Sequence, residues 1–267
     1  DQGIIGFDRG SGFVRNIDLH TSPVLKAEFS SFLEELKEHL PPQFRIDISQ
    51  LKILSEVYVH IIDEIIFNIF QRRHGGILLL IPDKLIPLAM KELKLRNSLK
   101  QTNIWDEYLA LIDQGASFFV GDIPFKERLR RFHSSFSDDS THHKHALNLM
   151  EIGVRLREFT DFVASLSQVD GALIMTTKMR IVGYGAEIRV NDKDLPPAFI
   201  QMENVRKPID PLIFGTRHRS TIRFCRKFPS ALGFVFSQDG GIKAVKGQPG
   251  EVTIFPEINR IRFEFFV

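Results

Sequence analysis

The segment His74-Gly75-Gly76-Ile77-Leu78-Leu79-Leu80-Ile81-Pro82 decides the fold, because an unbroken apolar run is bounded here by glycine and proline. A run of this length predicts a short strand that is buried on both faces. The stretch before it, from Ile48 to Arg72, is rich in Ile, Leu, Val and Phe and predicts a helix that ends at these glycines. A buried strand beside helices indicates an α/β sheet that is covered on both sides.

Helices and strands are predicted on both sides of this segment. A helical period runs from Pro23 to Leu40, helical patterns resume from Ile86 to about Gln114, and the apolar residues from Leu149 to Leu166 step by three and four. The predicted strands of the C-terminal half are Ala172–Met175, Arg180–Gly183, Ala231–Ser237, Ile242–Val245 and Arg260–Val267. Asp239-Gly240-Gly241 joins two of them as a hairpin.

The stretch from Ser134 to His145 is the most loop-like part of the interior and predicts a division of the chain. Residues 1–133 then form a mainly helical N-terminal region, which includes a first strand near 77–82, and residues 146–267 form a second domain. The histidines at 142, 143 and 145 have metal-ligating chemistry, but adjacent histidines in a Ser/Asp-rich loop are more typical of a solvated surface. The basic run from Lys126 to Arg131 is likewise typical of a solvated helix face.

Composition and charge exclude several classes of protein. The chain has 267 residues and a formal net charge of +2, too mild for the strongly basic face of a nucleic-acid-binding protein. No apolar run approaches the roughly 20 residues of a membrane helix, and no secretory signal opens the sequence, so we expect no membrane segment. The single Cys225 allows no internal disulfide, which predicts the cytoplasm as the location.

One polar segment stands out, Gly215-Thr216-Arg217-His218-Arg219-Ser220-Thr221, directly before a predicted short helix from Ser220 to Phe228 that Pro229 ends. A helix N-terminus presents free N–H groups and a positive dipole end, both of which favour an anion. Arginine adds paired donors that match phosphate oxygens, and glycine lets the backbone approach closely. The segment is therefore a candidate polyphosphate cradle. The alternative is a capping turn at the surface whose arginines form ordinary ion pairs.

A second candidate is Asp170, which follows a predicted helix and opens an apolar strand. A carboxylate at the edge of a sheet can face a crevice between elements. Asp-Gly is also a routine turn, so Asp170 alone is a weak signal. The sequence lacks a Walker-type phosphate loop, a GxGxxG loop, an HExxH pair and a GxSxG elbow, which removes the usual signs of four large enzyme classes.

Asp170-Gly171-Ala172, followed by Gly215-Thr216-Arg217-His218-Arg219, resembles the two hallmark motifs of the diadenylate cyclase (DAC) domain family. This domain also forms the N-terminus of the bacterial DNA-integrity scanning protein. The resemblance covers roughly residues 149–245. It implies an α/β fold in which a twisted mixed β-sheet is flanked by helices, with residues 146–267 as the nucleotide-binding domain.

The resemblance also implies a reaction. Family members condense two ATP into cyclic di-AMP and release two pyrophosphates, with two domains face to face in a homodimer or higher oligomer and Mg²⁺ or Mn²⁺ assisting. Asp170 would be the catalytic residue and, with Asp239, would hold the metal. The residues expected to bind the nucleotide are Gly171, Ala172, Gly215, Thr216, Arg217, His218, Arg219, Ser220 and Ser237.

This sequence departs from the family's pattern at two places. Val169 stands where many cyclases have His, and Ser237-Gln238-Asp239 stands where the family has Ser followed by two acidic residues. The stretches 74–76, 183–188 and 237–240 are most similar to a divergent branch proposed to act as nucleotide sensors. Three hypotheses follow: a cyclase, a non-catalytic sensor of a nucleotide such as a cyclic dinucleotide in the same pocket, or a phosphate-binding structural module.

Overall fold

The computed structural model describes residues 48–99, 104, 140–190, 195–202, 205–238 and 241–256. The helices in these ranges are α1 (Ile48–Gln71), α2 (Ile86–Ala89), α3 (Ser140–Leu166) and α4 (Thr216–Lys227), with 3₁₀ turns at Asp83–Leu85, Met90–Glu92 and Pro211–Ile213. The strands are β1 (Gly76–Ile81), β2 (Leu93–Lys94), β3 (Asn97–Ser98), β4 (Ala172–Thr176), β5 (Ile181–Ile188), β6 (Ala198–Met202), β7 (Val205–Ile209), β8 (Leu232–Ser237), β9 (Gly241–Gln248) and β10 (Glu251–Phe255). None of the described helices is both long enough and apolar enough to cross a membrane.

Strand β1 lies at the centre of one open, twisted, mixed sheet. The strand order is β2-β5-β4-β1-β8-β9-β10-β6-β7, with β3 also paired to β5. Ile77 is opposite Ala172 of the parallel strand β4 and opposite Val235 of the antiparallel strand β8. The predicted first strand is therefore confirmed, and so is the α/β class with a mixed sheet. Because both neighbours of β1 come from the C-terminal half, the two predicted regions share one sheet.

Different helices cover the two faces of this sheet. Leu78 and Leu80 belong to the core cluster that α1 and α3 form on one face. Ile77 and Leu79 point to the opposite face, where Phe224 of α4 packs. All six residues of β1 are buried, which explains why its sequence is continuously apolar and does not alternate. Full burial of one such side chain contributes about 1.5–3 kcal/mol, so β1 anchors both layers.

Helix α4 lies close to strands β8 and β9 because two glycines stand beneath it. A Cβ atom at Gly247 would overlap the carbonyl oxygen of Cys225, and a Cβ atom at Gly233 would overlap the methyl group of Thr221. Cys225 and Thr221 are both fully buried in this contact. The two glycines therefore set the depth at which α4 is seated on the sheet, and with it the position of its N-terminus.

The predicted loop from Ser134 to His145 is wrong in its second half, because α3 begins at Ser140. Ser, Thr and Asp are common both in loops and at the first residues of helices, so composition does not separate the two. The first half of that stretch lies outside the described residues. So do the predicted helix Pro23–Leu40, the predicted strand Arg260–Val267 and most of the predicted boundary between residues 133 and 146.

The helix predicted from Ile86 to about Gln114 is confirmed over Ile86–Ala89 and is wrong in the described residues that follow. One turn of α2 is followed by β2 and β3, where Leu93 pairs with Ile188 and Asn97 pairs with Tyr184 of β5. Pairing with a neighbouring strand outweighs local helix propensity here. Strands β6, β7 and β10 have no counterpart in the sequence prediction. Pro208 lies within β7, a position that proline occupies only on an edge strand and that hides the strand pattern.

Because α4 packs directly on the sheet at Gly247, we expect the Gly247→Ala variant to be less stable than the wild type. The added methyl group has no room against the Cys225 backbone, so we expect the free energy of unfolding to fall by roughly 1–3 kcal/mol. Urea denaturation followed by circular dichroism measures this change. Gly153→Ala is the matched control, because Gly153 on α3 is exposed and no atom in the described part of the chain lies within 4 Å of the added methyl group. We expect Gly153→Ala to be more stable than the wild type by roughly 0.5–1 kcal/mol, because alanine favours a helix over glycine. An equal loss of stability in both variants would show that the close contact of α4 with the sheet is not the cause.

Candidate functional site

The two sequence motifs meet at one end of the sheet, where β1 and β4 begin and β8 ends; we call it the motif end. Gly76 is paired with Phe236, and Ser237 is paired with Gly241 where β9 begins. Helix α4 also begins there, because Arg217 in its first turn lies against Gly75. Four strands and one helix terminus therefore place backbone and side-chain polar groups side by side.

The Asp170-Gly171-Ala172 turn presents its carboxylate to solvent. Gly171 has a φ of +121°, and a Cβ atom there would lie 2.6 Å from the Gly185 carbonyl carbon and 2.9 Å from the Ala186 nitrogen. Only glycine fits this close approach of the start of β4 to β5. The Asp170 side chain is 75% exposed, so the tight turn fixes its backbone while its carboxylate stays open to a ligand.

The N-terminus of α4 is open. The helix begins at Thr216 and not at the predicted Ser220, so the polar segment forms its first turn. The N-cap residue is Gly215, which has no side chain that could cap the helix. No atom of the described residues lies within 4 Å of a Cβ atom placed at Gly215, so the backbone is open at this N-cap position. Arg219 N–H donates to the Gly215 carbonyl oxygen at 3.1 Å, whereas the N–H groups before it have no partner within an α-helix. These groups and the dipole give the positive end that an anion requires.

Arg217 connects the two motifs. Its Nη2 atom is 3.7 Å from Oδ1 of Asp170, and its guanidinium lies over Gly75, where a Cβ atom would be 2.6 Å from Nη1. The Gln238 side chain lies on the same spot, 3.3 Å from that Cβ position. With 43% of the Arg217 side chain exposed, this ion pair contributes at most about 1 kcal/mol to stability. The arrangement therefore positions charged groups more than it stabilises the fold.

The charges along α4 are placed unfavourably for its own dipole at the N-terminal end. Arg226 and Lys227 in the last turn are favourable, but Arg217 and Arg219 in the first turn are not. No carboxylate of the described residues forms an ion pair with Arg219. Each arginine next to the positive end of the dipole destabilises the helix by about 0.3–1 kcal/mol. Such a cost is typical of a functional site, because a bound anion would turn the same charges into stabilising ones.

His218 is neutral near pH 7. Its ring stacks on Phe214 with centroids 5.2 Å apart and an interplanar angle of 23°. Burial and, as a smaller cause, the positive charge of Lys243 together lower the pKa of His218 from 6.5 to about 4. Its Nε2 atom is buried without a hydrogen-bond partner in the described part of the chain. A neutral imidazole offers one donor and one acceptor, so His218 contributes a hydrogen bond and no charge.

The remaining predicted site residues differ in their placement. Thr216 is exposed at the open helix end, whereas the hydroxyl groups of Ser220 and Thr221 donate to the Arg217 carbonyl oxygen at 3.0 and 2.9 Å. Ser237 is half-buried at the motif end. Ala172 is fully buried and leaves only its backbone for a ligand. Asp239 lies outside the described residues, so its predicted role as a metal ligand stays a prediction.

Two residues at this end were not among the predicted site residues. Gly75 receives the Arg217 guanidinium, and Lys243 lies close enough to His218 to lower its pKa. The only sequence feature that could have indicated Gly75 is the Gly-Gly pair directly before the central strand. No sequence pattern indicates that Lys243 belongs to the site, because its position depends on the register of the hairpin between β8 and β9.

The buried setting of His218 predicts an unusual titration. We expect its imidazole to titrate near pH 4, compared with 6.5 for a free side chain, in NMR spectra assigned with a His218→Gln variant. Between these two pH values the unfolded chain binds the proton more readily, so this histidine lowers stability as the pH falls from 6.5 to 4. His218→Gln should lose that part of the pH dependence. A wild-type midpoint near 6.5 would contradict the burial and the contact with Lys243.

No family model matches the chain, and no curated protein and no solved structure is significantly similar to it. The resemblance to the DAC family therefore rests on the two motifs alone. What the structure adds is the convergence of those motifs at one end of the sheet, with Asp170 and Arg217 3.7 Å apart.

Proposed function

We propose that the motif end binds ATP and that two copies of the chain, face to face, condense two ATP into cyclic di-AMP and two pyrophosphates. The observation that carries the proposal is the meeting of Asp170 and Arg217 in front of the uncapped N-terminus of α4. Nucleotidyl transfer needs one group that positions the attacking hydroxyl and other groups that bind the phosphates. The carboxylate meets the first need, and the cationic helix end meets the second.

The phosphate half of the site consists of the first turn of α4. Its backbone N–H groups and the guanidiniums of Arg217 and Arg219 donate to phosphate oxygens, and Thr216 offers an exposed hydroxyl group. Because no described atom covers the Cβ position of Gly215, a phosphate can approach the backbone at this N-cap residue. Donors that are already in place neutralise the charge that grows on the leaving pyrophosphate, without reorganising during the reaction.

The hydroxyl half of the site consists of Asp170. The exposed carboxylate fits a Mg²⁺ or Mn²⁺ ion, because Mg²⁺ is commonly held by one or two carboxylates together with substrate phosphates and waters. When bound, the ion lowers the pKa of a coordinated hydroxyl group and neutralises phosphate charge. In each half-reaction the 3′-hydroxyl loses its proton, its oxygen bonds to the α-phosphorus of the facing nucleotide, and pyrophosphate leaves. Two such steps close the cyclic dinucleotide.

A second copy is part of the proposal, since one chain cannot present both nucleotides to each other. Leu212 and Ile213, just before the open helix end, have 64% and 67% of their surfaces exposed. Large apolar side chains beside a charged site support an interface there. Cys225 is fully buried and the sequence has no second cysteine for an internal disulfide, so we propose the cytoplasm as the location.

A non-catalytic nucleotide sensor is the second candidate, and Gln238 favours it. Its side chain lies at Gly75 beside Arg217, at the position where the family's pattern has a carboxylate. A neutral amide binds no divalent cation as firmly as a carboxylate does, so turnover would suffer more than nucleotide binding. The same phosphate half would then hold ATP or a cyclic dinucleotide.

Removal of the two first-turn arginines tests the phosphate half in both candidates. We expect Arg217→Ala with Arg219→Ala to weaken ATP binding by at least roughly tenfold in calorimetry, because two charge-assisted contacts are lost. Arg226→Ala is the matched control, since it removes an arginine from the last turn of the same helix, and should change affinity less than twofold. Unchanged affinity in the double variant would refute the phosphate cradle.

Replacement of Asp170 separates the cyclase from the sensor. Wild-type protein with ATP and Mn²⁺ or Mg²⁺ should form cyclic di-AMP, detected by chromatography and mass spectrometry, and Asp170→Asn should lower the rate at least roughly a hundredfold. ATP affinity should remain within a few fold of wild type. Asp161→Asn on α3 is the control and should retain the rate. Saturable ATP binding without product in the wild type would select the sensor, and unchanged product in Asp170→Asn would remove Asp170 from the mechanism.

A further inference from the structure

Lys243 faces the same side of the sheet as α4, near the motif end. In the register of β8 and β9 it pairs with Val235, whose side chain lies in the core cluster beneath α4. Paired residues of antiparallel strands point to the same face, so the Lys243 side chain rises beside the first turn of the helix. The side chain is half-buried, which leaves part of it accessible to a ligand.

The side chain of Lys243 runs back along β9 toward the beginning of the strand. Its Nζ atom is 3.8 Å from the Cβ position of Gly241, two residues earlier on the same face. Because Gly241 has no side chain, the lysine stem has room to lie in this direction. The ammonium group therefore reaches toward the motif end and away from the middle of the sheet.

The ammonium group completes a cluster of positive charges. It is close enough to His218 to lower the pKa of that imidazole. Among the described residues no carboxylate forms an ion pair with Lys243. Arg217 and Arg219 lie in the first turn of α4, so with Lys243 three cations stand at this end of the sheet. Lys243 is the one that acts on His218, and Arg217 is the one near Asp170. Like charges at one end of a sheet repel each other, and an anion that binds between them removes this repulsion.

The cluster is wider than one phosphate group. Arg217 lies over Gly75 at the start of β1, whereas Lys243 is on β9, two strands further along the sheet. Two strand spacings correspond to about 10 Å. A single phosphate bound at Arg217 would leave Lys243 without a partner, whereas a chain of phosphates extends from one to the other.

We infer that Lys243 binds the terminal phosphates of a nucleoside triphosphate, and that through it the site prefers triphosphates over nucleotides with one phosphate. The inference rests on the proposed nucleotide site and deepens it. Arg217 and the helix N-terminus then hold the phosphate next to the nucleoside, and Lys243 holds the far end of the polyphosphate. In a cyclase this far end is the pyrophosphate that leaves.

Calorimetric titration of the full chain with ATP and with AMP tests this inference. The wild type should bind ATP more tightly than AMP. Lys243→Met retains the apolar stem and removes the charge, so ATP affinity should fall roughly tenfold while AMP affinity changes less than twofold. Lys243→Arg retains the charge and should retain most of the preference. Lys84→Met removes a lysine just beyond the opposite end of β1 and should leave both affinities unchanged.

The outcomes separate the inference from the proposal on which it rests. Failure of the wild type to bind either nucleotide would overturn both. ATP binding that is unchanged in Lys243→Met, or an equal loss for ATP and AMP, would overturn the role of Lys243 and leave the nucleotide site standing. Thermal unfolding by circular dichroism identifies a variant that fails to fold, and in that case Lys243→Arg decides: a folded variant with the wild-type preference supports the inference.

Discussion

The contact between α4 and the sheet is the constraint on which the candidate site depends. Gly233 and Gly247 allow the helix to lie directly on β8 and β9, with the Cys225 backbone against the strand below. A side chain at either glycine would overlap atoms of α4, so we expect the helix to move away from the strands and to carry its first turn with it. A packing feature in the middle of the sheet therefore determines where Arg217 stands relative to Asp170. Core packing transmits such shifts because protein interiors have few voids to absorb them.

The charges at the motif end lower the stability of the chain when no ligand is bound. Arg217 and Arg219 occupy the positive end of a helix dipole, and Lys243 adds a third charge beside the partly buried imidazole of His218. Such an arrangement is unfavourable without a ligand and favourable with a polyanion, so the ligand would stabilise the folded state. His218 avoids adding to the repulsion because burial keeps it neutral. The site thus combines fixed cations with one uncharged hydrogen-bonding group.

The centre of the fold and the two motifs could be predicted from sequence, whereas their assembly could not. The run from Ile77 to Ile81 indicates a doubly buried strand because no polar residue interrupts it. The Asp170-Gly171-Ala172 turn and the segment from Gly215 to Ser220 are local patterns that a sequence shows directly. Strand register, the depth of α4 and the neutrality of His218 arise from tertiary contacts between distant segments. Lys243 belongs to this second group, since its place depends on the hairpin register and on the small size of Gly241.

The position of β1 has a consequence for folding. This strand comes early in the described chain, yet it pairs with β4 and with β8, which comes close to the end. Loop-closure entropy opposes such distant pairings, so we expect them to form late in folding, when most of the structure is already in place. Gly75, which receives the Arg217 guanidinium, immediately precedes β1. The site is thus completed only when the sheet closes around its central strand, and a partly folded or truncated chain without β1 would present the two motifs apart from each other.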